Sequence, residues 1–91
     1  MTASDLETRR KRAHFQSWHR GTREMDVLLG TFADRHLAAL TPDQLARYEQ
    51  LLQVSDAALY AWVAGLEPIP DDHDCDVLRW LCNEPIDPVR D

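Results

Sequence analysis

At 91 residues the chain has length for one small domain with a modest core, and little room for a deep substrate pocket beside it. Its 44% hydrophobic and 29% charged residues are the proportions of a soluble globular protein, and no run of about 18 apolar residues could span a bilayer. Net charge is −6, divided unevenly: residues 1–24 hold six basic and three acidic side chains (+3), residues 25–91 four basic and thirteen acidic (−9). Most of that surface would repel phosphate, so no nucleic-acid footprint is expected.

The N-terminus, Met1-Thr2-Ala3-Ser4-Asp5-Leu6-Glu7, has no apolar h-region, and Asp5 and Glu7 come too early for an organellar presequence. The expectation is a bacterial-type cytoplasmic protein with no direct membrane insertion. A first helix is expected to start in this stretch, with Ser4 and Glu7 as a capping box. Its early part carries no apolar stripe, and residues 1–11 are read as an N-terminal arm that can fray. The basic segment over residues 1–24 is either a solvated helix end or an arm for an acidic partner or nucleic acid. Only His14, Phe15 and Trp18 form an i, i+4 face.

A second helix is expected from about Thr22, with Met25, Leu28, Leu29 and Phe32 as its core stripe. Gly30 inside it costs about 1 kcal/mol relative to alanine unless close packing needs it. The third helix has the clearest start: Thr41 as N-cap, Pro42 at the first helical position and Gln44 closing a capping box. Leu45, Tyr48, Leu51 and Leu52 form its inner face. Ser55 or Asp56 caps a fourth helix with Leu59, Trp62, Val63 and Leu66 on one side, ended by Gly65 and the Glu67-Pro68-Ile69-Pro70 stretch. A fifth is expected from about Asp72 to Asn83, with Val77, Leu78 and Leu81 inward, followed by a loose tail over residues 85–91. No strand alternation, repeat or hairpin signal interrupts this reading. The predicted fold is all-α: one domain, a compact antiparallel bundle of five short helices.

Catalytic patterns are missing. There is no phosphate loop, no HExxH and no Gly-x-Ser-x-Gly. His14, His19, His36 and His73 match no metal spacing, and His73-Asp74-Cys75-Asp76 reads as a charged helix start. Cys75 and Cys82 lie seven residues apart on one predicted helix, roughly 10 Å along its axis. That excludes a disulfide and leaves buried free thiols, consistent with a reducing compartment. Trp18, Trp62 and Trp80 are read as core or clamp residues, and Tyr48 and Tyr60 as core-margin residues with wet hydroxyls. The chain is not expected to be an enzyme.

The most informative stretch is His19-Arg20-Gly21-Thr22-Arg23-Glu24-Met25-Asp26. A glycine that takes positive φ lets one helix end and the next begin at once. Arg20 and Glu24 are then expected to be displayed at a helix-helix corner as opposite charges, a docking surface. Arg20-Gly21-Thr22-Arg23-Glu24 resembles the RGxxE motif of the succinate dehydrogenase assembly factor 2 family, called SdhE in bacteria. Supporting residues are Leu37, Leu40, Thr41, Gln44, Leu45 and Tyr48 at one helix junction, Leu51, Leu52, Asp56, Leu59 and Trp62 at the next, and Pro68 and Pro70 before the last helix. The likeness covers about residues 12–83. His19 stands where members often carry a second basic residue, and Thr22 where they often carry methionine.

The resemblance implies a dedicated chaperone that binds the flavoprotein subunit of succinate dehydrogenase, and in bacteria also of fumarate reductase. It promotes covalent attachment of FAD to a histidine of that subunit. Carried over, Arg20, Gly21 and Glu24 are the partner-binding residues, with Arg23, Asp26 and His19 extending the site. No catalytic, metal or stable cofactor site is implied, and a monomer is expected. Two rivals stand beside it: a helical nucleic-acid binder using residues 9–12, and a small helical adaptor regulating another enzyme.

Overall fold

The computed structural model describes residues 3–83, with side chains from residue 5 onward. Five α-helices run in order: α1 (Ala3–Trp18), α2 (Arg23–His36), α3 (Pro42–Leu51), α4 (Asp56–Val63) and α5 (Asp76–Asn83). Single 3-10 turns occupy Leu37–Ala39 and Asp71–His73. No strand occurs among the described residues, and the all-α bundle is as expected.

Helix starts follow their capping chemistry. The Thr22 side chain accepts from the Met25 amide, Ser55 from that of Ala58, and Thr41 with Gln44 forms the full capping box with Pro42 in the first turn. Each cap satisfies an amide that the first turn would leave without a partner. The inner faces of α2, α3 and α5 are also those expected. Met25, Leu28, Leu29 and Phe32 meet Leu45, Tyr48, Leu51 and Leu52 in one buried cluster, joined by Leu59, Trp62, Val77, Leu78 and Leu81.

α1 and α2 make the most extensive helix pair and run antiparallel: His14 bonds to Asp34, and the Trp18 ring lies against Gly30. α5 packs on α3 and α4.

Several expectations need correction. The Ser4–Glu7 capping box involves a side chain outside the described residues, as does the tail over residues 85–91. Residues 3–11 are not a frayed arm; they continue α1. Nε and Nη2 of Arg9 donate to the two carboxylate oxygens of Glu49 on α3 (3.2 and 2.8 Å), and Nη2 of Arg10 donates to the Leu40 carbonyl (2.9 Å). The basic run is thus partly spent on intramolecular contacts. The inner face of α1 is Ala13 and Ser17, flanked by Leu6, rather than His14, Phe15 and Trp18; Phe15 is 60% exposed. Small residues bring α1 close to its neighbours, which an apolar-periodicity reading does not register.

α5 starts at Asp76 rather than Asp72. Residues 71–73 form a 3-10 turn that ends at the extended backbone of Asp74. The Asp74 carboxylate is held by Nε and Nη2 of Arg79, both at 2.7 Å. Cys75 therefore precedes the helix; both thiols are free as expected, but half-buried rather than buried. Leu66 lies beyond α4 and is 70% exposed. Tyr48 is fully buried instead of marginal: its hydroxyl meets Ser17 Oγ (2.5 Å) and the Leu29 carbonyl (3.3 Å).

Candidate functional site

The site is the corner between α1 and α2, residues 19–22. Gly21 turns it with φ +111°, a backbone region that side-chain-bearing residues rarely adopt. Asp26, one turn into α2, closes the corner: its Oδ1 accepts from the Arg20 amide at 2.6 Å. Thr22 caps α2 from the same corner.

Arg20 is placed differently from the expectation. Its side chain is only 11% exposed and is not paired with Glu24. It reaches across to the α3–α4 connection, where Nε donates to Asp56 Oδ1 (2.8 Å), Nη1 to the Leu52 carbonyl (2.5 Å) and Nη2 to the Val54 carbonyl (2.8 Å). The planar guanidinium satisfies two carbonyls of the α3–α4 connection, which lie outside any helix, while pairing with an acid at the start of α4. These acceptors lie 32 to 36 residues away along the chain. No local signal announces them.

Glu24 sits in the first turn of α2, exposed, and makes no hydrogen bond or ion pair with any described residue. Arg23 is also exposed. His19 faces the outer side of α1. Its ring stacks on Phe15 with centroids 4.0 Å apart, and its Nδ1–H donates to the Phe15 carbonyl at 2.7 Å. The corner thus brings Gly21, Thr22 and Glu24 together at the surface, with Arg20 and Asp26 behind them as its fastenings. The expected display of paired opposite charges is replaced by a displayed carboxylate and a tethered guanidinium.

Beside the corner an open groove of about 520 Å³ runs between the start of α2 and α4, lined by Thr22, Glu24, Met25, Asp56, Ala57 and Tyr60. Tyr60 is 45% exposed, a large apolar surface for so small a protein. Asp56 and Tyr60 were not among the candidates from sequence. From the sequence Asp56 reads as a helix start and as one of the residues that carry the family likeness, and Tyr60 as a core-margin aromatic with a wet hydroxyl.

Chemically the corner offers an exposed carboxylate, a half-exposed ring and a tethered guanidinium. No cluster of three His, Cys, Asp or Glu that could hold a metal ion occurs among the described residues.

Comparison with known proteins agrees with the resemblance. A family model described as the flavinator of succinate dehydrogenase matches residues 11–85. The succinate dehydrogenase assembly factor 2-A, mitochondrial, of Drosophila yakuba is 40% identical over 78 residues, which cover 84% of this chain and 48% of that protein. The protein of the same name from Drosophila erecta is 37% identical over the same shares of the two chains. The 2-B protein of Drosophila pseudoobscura pseudoobscura is 36% identical over 84% of this chain and 49% of its own length. The chain spans about half the length of these curated relatives. With a family match over most of its length, this chain belongs to the flavinators of succinate dehydrogenase, the succinate dehydrogenase assembly factor 2 family.

Proposed function

We propose that this protein is an assembly factor that binds the flavoprotein subunit of succinate dehydrogenase and promotes covalent attachment of FAD to it. The observation that carries this reading is the family match across residues 11–85, which includes the Arg-Gly-x-x-Glu corner. As a member of an assembly-factor family the chain is not an enzyme. The bond-forming chemistry belongs to the flavin and to the histidine of the flavoprotein, as is usual where a cofactor carries the reaction. The chain itself keeps no stable FAD, and it works as a monomer. In a bacterial-type cell the fumarate reductase flavoprotein is a second client, and the cytoplasm is the compartment. No helix of the described residues is long and apolar enough to cross a membrane.

Arg20, Gly21 and Glu24, extended by Arg23, Asp26 and His19, form the partner-binding region in this reading. The energetic demand is small. Raising a flavinylation-competent state of the partner from about 1% to about 50% needs roughly 2.7 kcal/mol of differential binding. A corner of this size can supply that if it holds the partner's histidine and flavin in attack geometry.

In-gel flavin fluorescence of the denatured flavoprotein, expressed with and without this chain, tests the reading, because denaturation strips any FAD that is not covalently bound. A clear rise with the chain present is expected. Glu24→Lys, at an exposed position, should lower that signal at least ~10-fold, the scale of reversing a charge in a desolvated contact, with the melting temperature unchanged. No rise with well-folded wild-type chain would return the protein to the adaptor reading, with a pull-down to find its enzyme.

A further inference from the structure

The two charged residues of the corner stand in opposite situations. Arg20 has its guanidinium on one carboxylate and two carbonyls and is nearly buried. Glu24 is exposed and makes no hydrogen bond or ion pair with any described residue. A partner that approaches the corner meets the carboxylate, not the guanidinium. What Arg20 does is fix the start of α4, through Asp56 and the Leu52 and Val54 carbonyls, against the corner that starts α2. Those two helix starts are the walls of the open groove beside Glu24.

The groove has a definite chemistry. Glu24 offers an unanswered negative charge, Asp56 one already shared with Arg20, and Tyr60 a half-exposed ring on the α4 wall. The complement is a long side chain with a cationic head and an apolar stem: the head pairs with Glu24 while the stem or guanidinium plane lies on the Tyr60 ring.

We infer that Arg20 is a positioning residue, and that the Glu24–Tyr60 groove it holds open receives an arginine or lysine side chain of the flavoprotein. The inference rests on the proposed role in flavinylation and assigns the motif's parts within it. Arg20 acts through the groove. Tyr60, outside the motif, makes contact.

The test compares wild type, Tyr60→Ala, Glu24→Gln and Arg20→Lys in three measurements. These are calorimetric affinity for the purified flavoprotein subunit at two salt concentrations, thermal melting, and hydrogen exchange of amides 52–58. Tyr60→Ala and Glu24→Gln should each weaken binding ~10-fold, as truncated contacts at an interface centre do, without moving the melting temperature. Added salt should weaken wild type more than Glu24→Gln, because the charge pair is what salt screens. Arg20→Lys keeps the charge but cannot reach three acceptors from one ammonium. It should melt roughly 5–10 °C lower, speed exchange across 52–58 and bind more weakly, with trimethylamine N-oxide restoring binding as it restores the fold.

Arg20→Lys binding weakly at wild-type stability and exchange would make Arg20 a contact and overturn its positioning role. Normal binding by Tyr60→Ala and Glu24→Gln would reject the groove, and equal salt slopes would reject a cationic occupant. If wild type neither binds nor raises flavinylation, it is the functional reading that fails, and the melting and exchange arms still decide whether Arg20 holds the corner.

Discussion

Gly21 separates two reasons a glycine can be required. Its φ is +111°, yet a Cβ built on it meets nothing within 4 Å. Space is not the constraint inside this chain; backbone conformation is. Gly21→Ala should therefore cost about 1–3 kcal/mol of strain, seen as a fall of roughly 5–15 °C in the melting temperature, with no core atom displaced. A thermal melt checks it, and a wild-type value would mean the corner relaxes to negative φ. Gly21 and Glu24 were legible in the sequence because a helix break and an acid just beyond it are local signals. Arg20 was legible as a motif residue but not in its role. The carbonyls it bonds belong to residues 52 and 54, and no spacing rule links an arginine to a carbonyl on the far side of a fold. The sequence reading therefore placed Arg20 in solvent opposite Glu24, where an ion pair is worth about 0–1 kcal/mol. The buried, hydrogen-bonded pair with Asp56 is costly to break from one side, because the remaining carboxylate loses its partner.

At the scale of helices, legibility follows how each element is held. α2, α3 and α4 begin at side-chain caps and α2, α3 and α5 turn apolar stripes inward, and both signals are local. α1 does neither. It carries many charges, and it packs through Ala13 and Ser17 and through Trp18 lying on Gly30. The α1–α2 contact depends on the absence of a side chain at position 30: a Cβ there would stand 2.2 Å from Trp18 Cδ2. Moving the indole is not free, since its Nε1 donates to Asp34 at 3.3 Å. Gly30→Ala gains about 1 kcal/mol of helix propensity but should lose about 1–3 kcal/mol to overpacking, so the net effect is expected to be destabilising. Urea unfolding measures it. The cycle with Trp18→Ala assigns the loss: in that background Gly30→Ala should become neutral or stabilising. The start of α5 was misplaced for a related reason. A run of acids after Pro70 looks like a helix N-terminus, but those residues form a 3-10 turn that ends at the extended backbone of Asp74, whose carboxylate pairs with Arg79.

For the molecule as a whole, Tyr48 is where three helices meet. Its hydroxyl, on α3, contacts Ser17 of α1 and the Leu29 carbonyl of α2. Ser17 Oγ–H donates to the Ala13 carbonyl at 2.7 Å. Either hydroxyl can donate in the Ser17–Tyr48 contact, and Tyr48 can donate to the Leu29 carbonyl only while it keeps its proton. Burial pushes the phenol up from 10.0 to about 12, with the Ser17 bond and the charge of Arg20 pulling partly the other way. The sign of the linkage follows. The folded state holds this proton more tightly than the unfolded chain, so its contribution is fully present below pH about 10 and is lost as pH rises towards about 12. Two pH units correspond to a loss on the order of 2–3 kcal/mol, a large fraction of the stability of a domain this size. The Cys82 thiol, also raised by burial, adds loss of the same sign from a lower pH. Denaturant melts between pH 8 and 12 should show falling stability. Tyr48→Phe should be about 1 kcal/mol less stable at pH 8 through the lost hydrogen bonds, yet decline less steeply above pH 10. An alkaline transition in wild type that is blunted in Tyr48→Phe would show that the junction's proton sets the limit. Equal slopes in the two proteins would move that limit to the other alkaline-titrating groups and leave Tyr48 a packing residue.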